Sequence, residues 1–137
     1  MDVELFGDSQ RPKAIVVRAG ARVQGISFFS PEDYSQQLGL MTRPAGYVVP
    51  MHRHNLVERK INQTQEVLLV RAGKCRVELF DEVSTLTDSI ELQMGDVILL
   101  AEGAHRIEML TECEILEVKQ GPYAGVEDKT ILEILDQ

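Results

Sequence analysis

The sequence predicts an all-β, single-domain fold, a sandwich or barrel, and three observations carry the prediction. Apolar residues recur with period two along most of the chain, the alternation of half-buried strands. Turn signals built on Gly and Pro interrupt that alternation at short, regular intervals. No stretch shows the apolar stripe of a long amphipathic helix, so few or no helices are expected. The length of 137 residues agrees with one ordinary domain over 1–137, and no composition shift marks a boundary inside it.

Taken in order, Lys13–Arg18 is a short β-branched run, and Arg22–Phe29 a second, with Gly25 inside it as a bulge signal. Ser30-Pro31-Glu32-Asp33 breaks the pattern and suits one helical turn with Pro at its first position. Gln37–Arg43 is a third strand, followed by a Pro44-Ala45-Gly46 turn. Tyr47–His54 is extended, with Pro50 marking an edge or kink. Gln65–Arg71 and Lys74–Asp81 flank Ala72-Gly73 and are expected to form a hairpin. Leu86–Gln93, Asp96–Ala101, His105–Leu110 and Cys113–Gln120 continue the rhythm, and Gly121-Pro122-Tyr123 ends it. Lys129–Leu135 is a last apolar segment, strand or helix.

Composition excludes several functions. With 22 acidic against 14 basic residues the net charge is -8, a surface that repels nucleic acid and offers anionic lipid no polybasic patch. No apolar run approaches the ~20 residues of a membrane-crossing helix. The N-terminal MDVELFGD carries acids and no signal-peptide core, so the cytoplasm is the expected compartment. Cys75 and Cys113 lie far apart in alternating runs and are expected as free, buried or half-buried thiols.

The three histidines concentrate the chemistry. His52 and His54 stand at i, i+2, which on an extended strand puts both imidazoles on one face. His105 follows Glu102-Gly103 in the later strands, and Glu66 opens the strand after the His pair. Three imidazole nitrogens and one carboxylate make a mixed N/O set suited to Zn, Mn, Fe, Ni or Cu. Each residue also has an ordinary alternative: a chance His-x-His pair, a surface His105, a solvated strand end at Glu66.

These residues resemble a family. Gly46, His52-x-His54, Glu66 and Gly73 are similar to the first motif of the cupin superfamily, and Gly95, Ala101, Gly103 and His105 to the second. The resemblance covers Gly46–His105, and residues 44–120 would form the core. It implies a double-stranded β-barrel, or jelly roll, and a divalent metal held by His52, His54, Glu66 and His105. The chain departs from the pattern in the long 55–65 insertion between His54 and Glu66, in Ala101 where the family has Pro, and in Met109 where it has Asn. The second motif is also one residue short before its His. Glu58, inside the insertion, is a competing carboxylate. INQTQEVLLVRAGK, GDVILLAEGAH and EVKQGPYAGVEDK further resemble small single-domain cupins found among bacterial surface-polysaccharide and nucleotide-sugar genes.

Alternation extends the expected pocket. If the ligands face inward, so do Val48 and Pro50, Leu68 and Val70, and Ile107 and Met109. Apolar walls with a few converging polar groups describe a small-molecule site. Arg43, Arg59 and Lys60 are candidates to add positive charge at its mouth, Tyr123 to line it, and Glu58 or Tyr47 to serve as base. The leading reading is a metal-dependent enzyme (isomerase, lyase or dioxygenase) on a small organic acid or sugar derivative. The alternative is a non-catalytic metabolite- or metal-binding module that acts as sensor or partner of another enzyme. A metal-free sugar-nucleotide epimerase or ketoisomerase ranks last, because the His pair with Glu66 looks like a ligand set. Open strand edges lead to the expectation of a homodimer.

Overall fold

The computed structural model describes residues 2–134. It is all-β, with antiparallel sheets that do not close into a barrel. A five-stranded sheet runs in the order β1 (Val3–Asp8), β2 (Arg11–Val17), β8 (Val97–Leu100), β5 (Glu66–Ala72), β10 (Glu114–Lys119). A three-stranded sheet runs β7 (Leu86–Gln93), β6 (Lys74–Phe80), β9 (Ala104–Met109), and β3 (Gly25–Phe28) with β4 (Gly39–Thr42) makes a separate ribbon. A three-residue 3-10 turn, Gly125–Glu127, is the one helical element among the described residues. None of their helices is long and apolar enough to cross a membrane.

The two larger sheets share one core. Ala14, Val16, Leu68, Val70, Ile98 and Leu100 face Cys75, Val77, Leu79, Ile90 and Leu92 across it, all nearly or fully buried. Ile15, Leu99 and Ala101 point to the opposite face of the five-stranded sheet, where Tyr34, Phe29 and Leu38 cover them. Burial on both faces explains why β2 and β8 read as continuous apolar runs rather than alternating ones. The Tyr34 hydroxyl donates to the Pro12 carbonyl at 2.6 Å and fixes that cover.

The expected hairpin between β5 and β6 does not form. β5 pairs with β8 and β10, whereas β6 pairs with β7 and β9. The chain instead turns a corner at Gly73 and crosses from one sheet to the other. Gly73 has φ +81°, and a Cβ there would lie 2.0 Å from the Glu112 carbonyl oxygen. Only Gly73 separates β5 from β6; so tight a connection suits a corner as well as a hairpin, and sequence alone does not separate them.

The strand tally agrees with expectation, but its membership differs. Val3–Asp8 is a strand, although its acidic residues disguise the alternation. Tyr47–His54 is not one, and Met41 through Thr64 are all exposed. Ser30–Asp33 forms a turn closed by Tyr34 N–H donating to the Pro31 carbonyl (3.1 Å), not a helix. Residues 129–134 are neither strand nor helix, and Leu135 lies outside the described residues.

Candidate metal and ligand site

Glu66 and His105 come from different sheets and meet at one end of the sandwich. Glu66 is the first residue of β5, where it pairs with Leu100 of β8 on one side and Lys119 of β10 on the other. His105 lies in β9 opposite Leu79 of β6. The His105 Nε2 stands 3.0 Å from Glu66 Oε1, with the carboxylate the more buried of the two side chains. The hydrogen bond to His105 pulls the Glu66 carboxyl down to about 2 against its burial, with Glu117, the His105 charge and Lys119 adding to the effect. Glu117 is pushed the other way, first by its hydrogen bond to Glu66 and then by burial. Of the two adjacent carboxyls, Glu117 therefore holds a proton more readily than Glu66.

The pair lines a cavity of about 940 Å³. One wall is β9, another the ends of β5 and β10, and a third the C-terminal stretch Asp128–Ile134. Asp128 anchors that stretch, accepting from Lys119 Nζ at 2.8 Å and Thr64 Oγ1 at 3.3 Å. The lining carries the carboxylates of Glu66, Glu102, Glu117, Asp128 and Glu133 against the cations of Arg106, Lys119 and Lys129. Lys119 is engaged by Asp128, and Arg106 by the nearly buried Glu78 at 2.8 Å. The field in the cavity thus favours a cation, contrary to the expectation of a basic mouth.

The inward set deduced from alternation holds in β5 and in the middle of β9, but not at Met109 at the end of β9. Leu68 and Val70 are in the core, and Ile107 packs against it. Met109 is 52% and Val48 74% exposed, and Pro50 is exposed as well.

His52 and His54 lie outside this constellation, on the exposed 41–64 stretch. Their rings stand edge to face with centroids 5.4 Å apart. His52 Nδ1 is 2.8 Å from the Pro50 carbonyl oxygen, which can only accept, so Nδ1 is the donor there. Glu58, Arg59 and Lys60 share the exposed stretch, and Arg43 stacks on Tyr47 at 4.5 Å. None of these residues, nor Tyr123, lines the cavity.

The donors fit a divalent metal by type, but not by position within one chain. Glu66 with His105 offers one O/N pair, and His52 with His54 offers an N/N pair. Among the described residues, no three His, Cys, Asp or Glu side chains gather into a metal-holding group. Sequence reasoning missed Glu117, Lys119, Arg106 and Asp128 as cavity residues. The first two were within reach, because alternation along Cys113–Gln120 places Glu117 and Lys119 on one face.

No family model, curated protein or solved structure matches the chain.

Proposed function

We propose that the protein is a metal-binding domain of cupin type that acts as a metal-dependent enzyme on a small polar metabolite. The observation that carries this reading is the Glu66–His105 pair, which joins the two sheets at the edge of an acidic cavity. An ionised carboxylate beside an imidazole in a negative field attracts a divalent ion such as Zn, Mn, Fe or Ni. When bound, such an ion polarises a substrate oxygen or activates water, which suits isomerase, lyase or dioxygenase chemistry. The same field disfavours a polyanionic substrate. It favours a hydroxyl- or carbonyl-bearing compound, such as a sugar derivative, or a simple organic acid whose charge the ion offsets. Glu66 supplies the anionic ligand, and Glu117 beside it is the carboxyl of the two that takes a proton more readily.

Elemental analysis of freshly purified protein tests the reading. Wild type is expected to carry metal, and His105→Ala to lose it. Wild type that stays metal-free after growth in metal-supplemented medium sinks the proposal. Metal without turnover across a panel of keto acids and sugar derivatives assigns a binding module instead.

A further inference from the structure

The chain holds two cysteines, and the fold brings them together at the end of the sandwich away from the cavity. Two of the chain's crossings between the larger sheets meet there. One is the Gly73 corner from β5 to β6, and the other is the connection from β9 to β10. They are bound to each other. The Leu110 and Thr111 N–H groups donate to the Lys74 carbonyl at 3.0 and 3.3 Å, and the Lys74 N–H donates to Thr111 Oγ1 at 3.0 Å. A Cβ on Gly73 would lie 3.0 Å from the Cys113 Cα. Cys75, opposite Met109 in the β6–β9 ladder, turns a fully buried side chain into the core. Cys113, half-buried on the second crossing, packs against the same core within hydrogen-bonding reach of the Cys75 thiol. Two thiols in contact, one sealed and one reachable from water, have the arrangement of a reduced disulfide couple.

We propose that Cys75 and Cys113 form a reversible disulfide on exposure to peroxide, a redox lock between the two crossings. Hydrogen peroxide is the oxidant. Cys113 reacts first, because water reaches it and Cys75 is sealed. Its thiolate sulfur attacks one peroxide oxygen: the S–O bond forms, the O–O bond breaks, and the departing hydroxide takes up the thiol's proton and leaves as water. The Cys75 sulfur then attacks the Cys113 sulfur: the S–S bond forms, the S–O bond breaks, and the hydroxyl leaves with the Cys75 proton as a second water. Two thiols are oxidised and one peroxide is reduced to two waters. A small uncharged oxidant suits the site, because Glu112 and Glu114 flank Cys113 and repel anionic ones. Burial, and then the adjacent Cys113 thiol, keep the proton on Cys75, so Cys75 resolves the intermediate rather than initiating the reaction. The bridge closes a loop of about forty residues and ties β6 of one sheet to the start of β10 in the other. It uses none of the cavity residues and is independent of the metal reading.

The test uses the wild-type chain, reduced, freed of reductant and treated with hydrogen peroxide at a small excess over protein. Free thiols are counted in denaturant, and the Cys75 and Cys113 peptides are mapped without reduction by mass spectrometry. Both thiols are expected to disappear, the two peptides to appear joined, the chain to run singly on a non-reducing gel, and dithiothreitol to restore both thiols. The oxidised chain is expected to melt roughly 10 °C above the reduced one. In Cys75→Ala the oxygen is expected to stay on Cys113, and in Cys113→Ala the Cys75 thiol to survive the same treatment. Cys113→Ala alters only a half-buried side chain, so it serves even where Cys75→Ala does not fold. Wild type that keeps both thiols, holds the oxygen on Cys113 without joining the peptides, or links separate chains through Cys113 overturns the pairing. A bridged chain that melts no higher than the reduced one overturns the lock, and oxidised Cys75 in Cys113→Ala overturns the order of attack.

Discussion

Asp96→Ala offers a test of how the sandwich is held at the end remote from the cavity. The Asp96 side chain is almost fully buried at the β7–β8 turn, where it accepts from three donors. One oxygen takes the Ala19 N–H at 2.9 Å, and the other takes the Gln93 N–H at 2.9 Å and Arg18 Nη1 at 3.2 Å. Truncation leaves two amides without an acceptor, and each unmet donor costs about 1–3 kcal/mol. Ala19 and Gln93 are themselves exposed residues that water can reach, so the low end applies. Arg18 keeps Glu4 and the Glu91 carbonyl, which limits its share to about 1 kcal/mol. The sum is about 3 kcal/mol, or roughly 10 °C in melting temperature for a chain of this length. Asp96→Asn is expected to cost about as much. Its amide nitrogen would face a donor on whichever side it occupied, so isosteric replacement does not rescue. Glu4→Ala removes the exposed arm of the same network and is expected to cost under about 1 kcal/mol. Urea melts followed by circular dichroism read all three. An Asp96→Ala loss below about 1 kcal/mol, or a Glu4→Ala loss equal to it, refutes the reasoning.

Two further outcomes follow from the same structure. Gly73→Ala places a methyl group 2.0 Å from the Glu112 carbonyl oxygen on a backbone at φ +81°, so the corner between the sheets must shift; about 3 kcal/mol is expected to be lost, read by the same urea melts. Burial pushes the Cys75 thiol up to about 11 from 9.0, with the nearby Cys113 adding to the effect, so between these values the unfolded chain has released a proton that the folded chain still holds. Stability should therefore fall as pH rises through that window, by about 2 kcal/mol, and Cys75→Ala should flatten the fall relative to wild type. A thiol reagent at pH 8 is expected to label Cys113 and leave Cys75 untouched until denaturant is added.

What was legible in the sequence followed from local alternation. β7, β8, β9 and β10 fall within a residue or two of their expected bounds, because each is short and has a turn signal at its ends. The pairing of strands was not legible. Ala72-Gly73 looks the same whether the next strand returns alongside the last or crosses to the other sheet, and only contacts distant in sequence decide between them. The site divides in the same way. Of the four residues singled out as ligands, Glu66 and His105 meet, because the strands that carry them are fixed by the core residues Leu68, Val70 and Ile107, while His52 and His54 do not join them. Arg106, drawn to Glu78 on a neighbouring strand, and Asp128, drawn to Lys119, became cavity residues through tertiary contacts that no short motif records.

The 47–54 stretch shows why a sound reading of local pattern can fail. Its alternation, its Pro50 and its His pair all describe an edge strand, yet pattern specifies only that a strand needs a neighbour, not that one lies within reach. Pro50 removes a backbone donor, and Arg53, Glu58, Arg59 and Lys60 close by are side chains that water solvates better than a sheet buries. Residues 41–64 are accordingly exposed, and the two histidines that alternation puts on one face stay apart from Glu66 and His105. Glu66 and His105 meet because each sits on a strand whose neighbours in sequence are held in the core, Leu68 and Val70 on β5 and Ile107 on β9. A side chain's place in a site is thus as secure as the burial of the strand that carries it, and the 47–54 stretch has none.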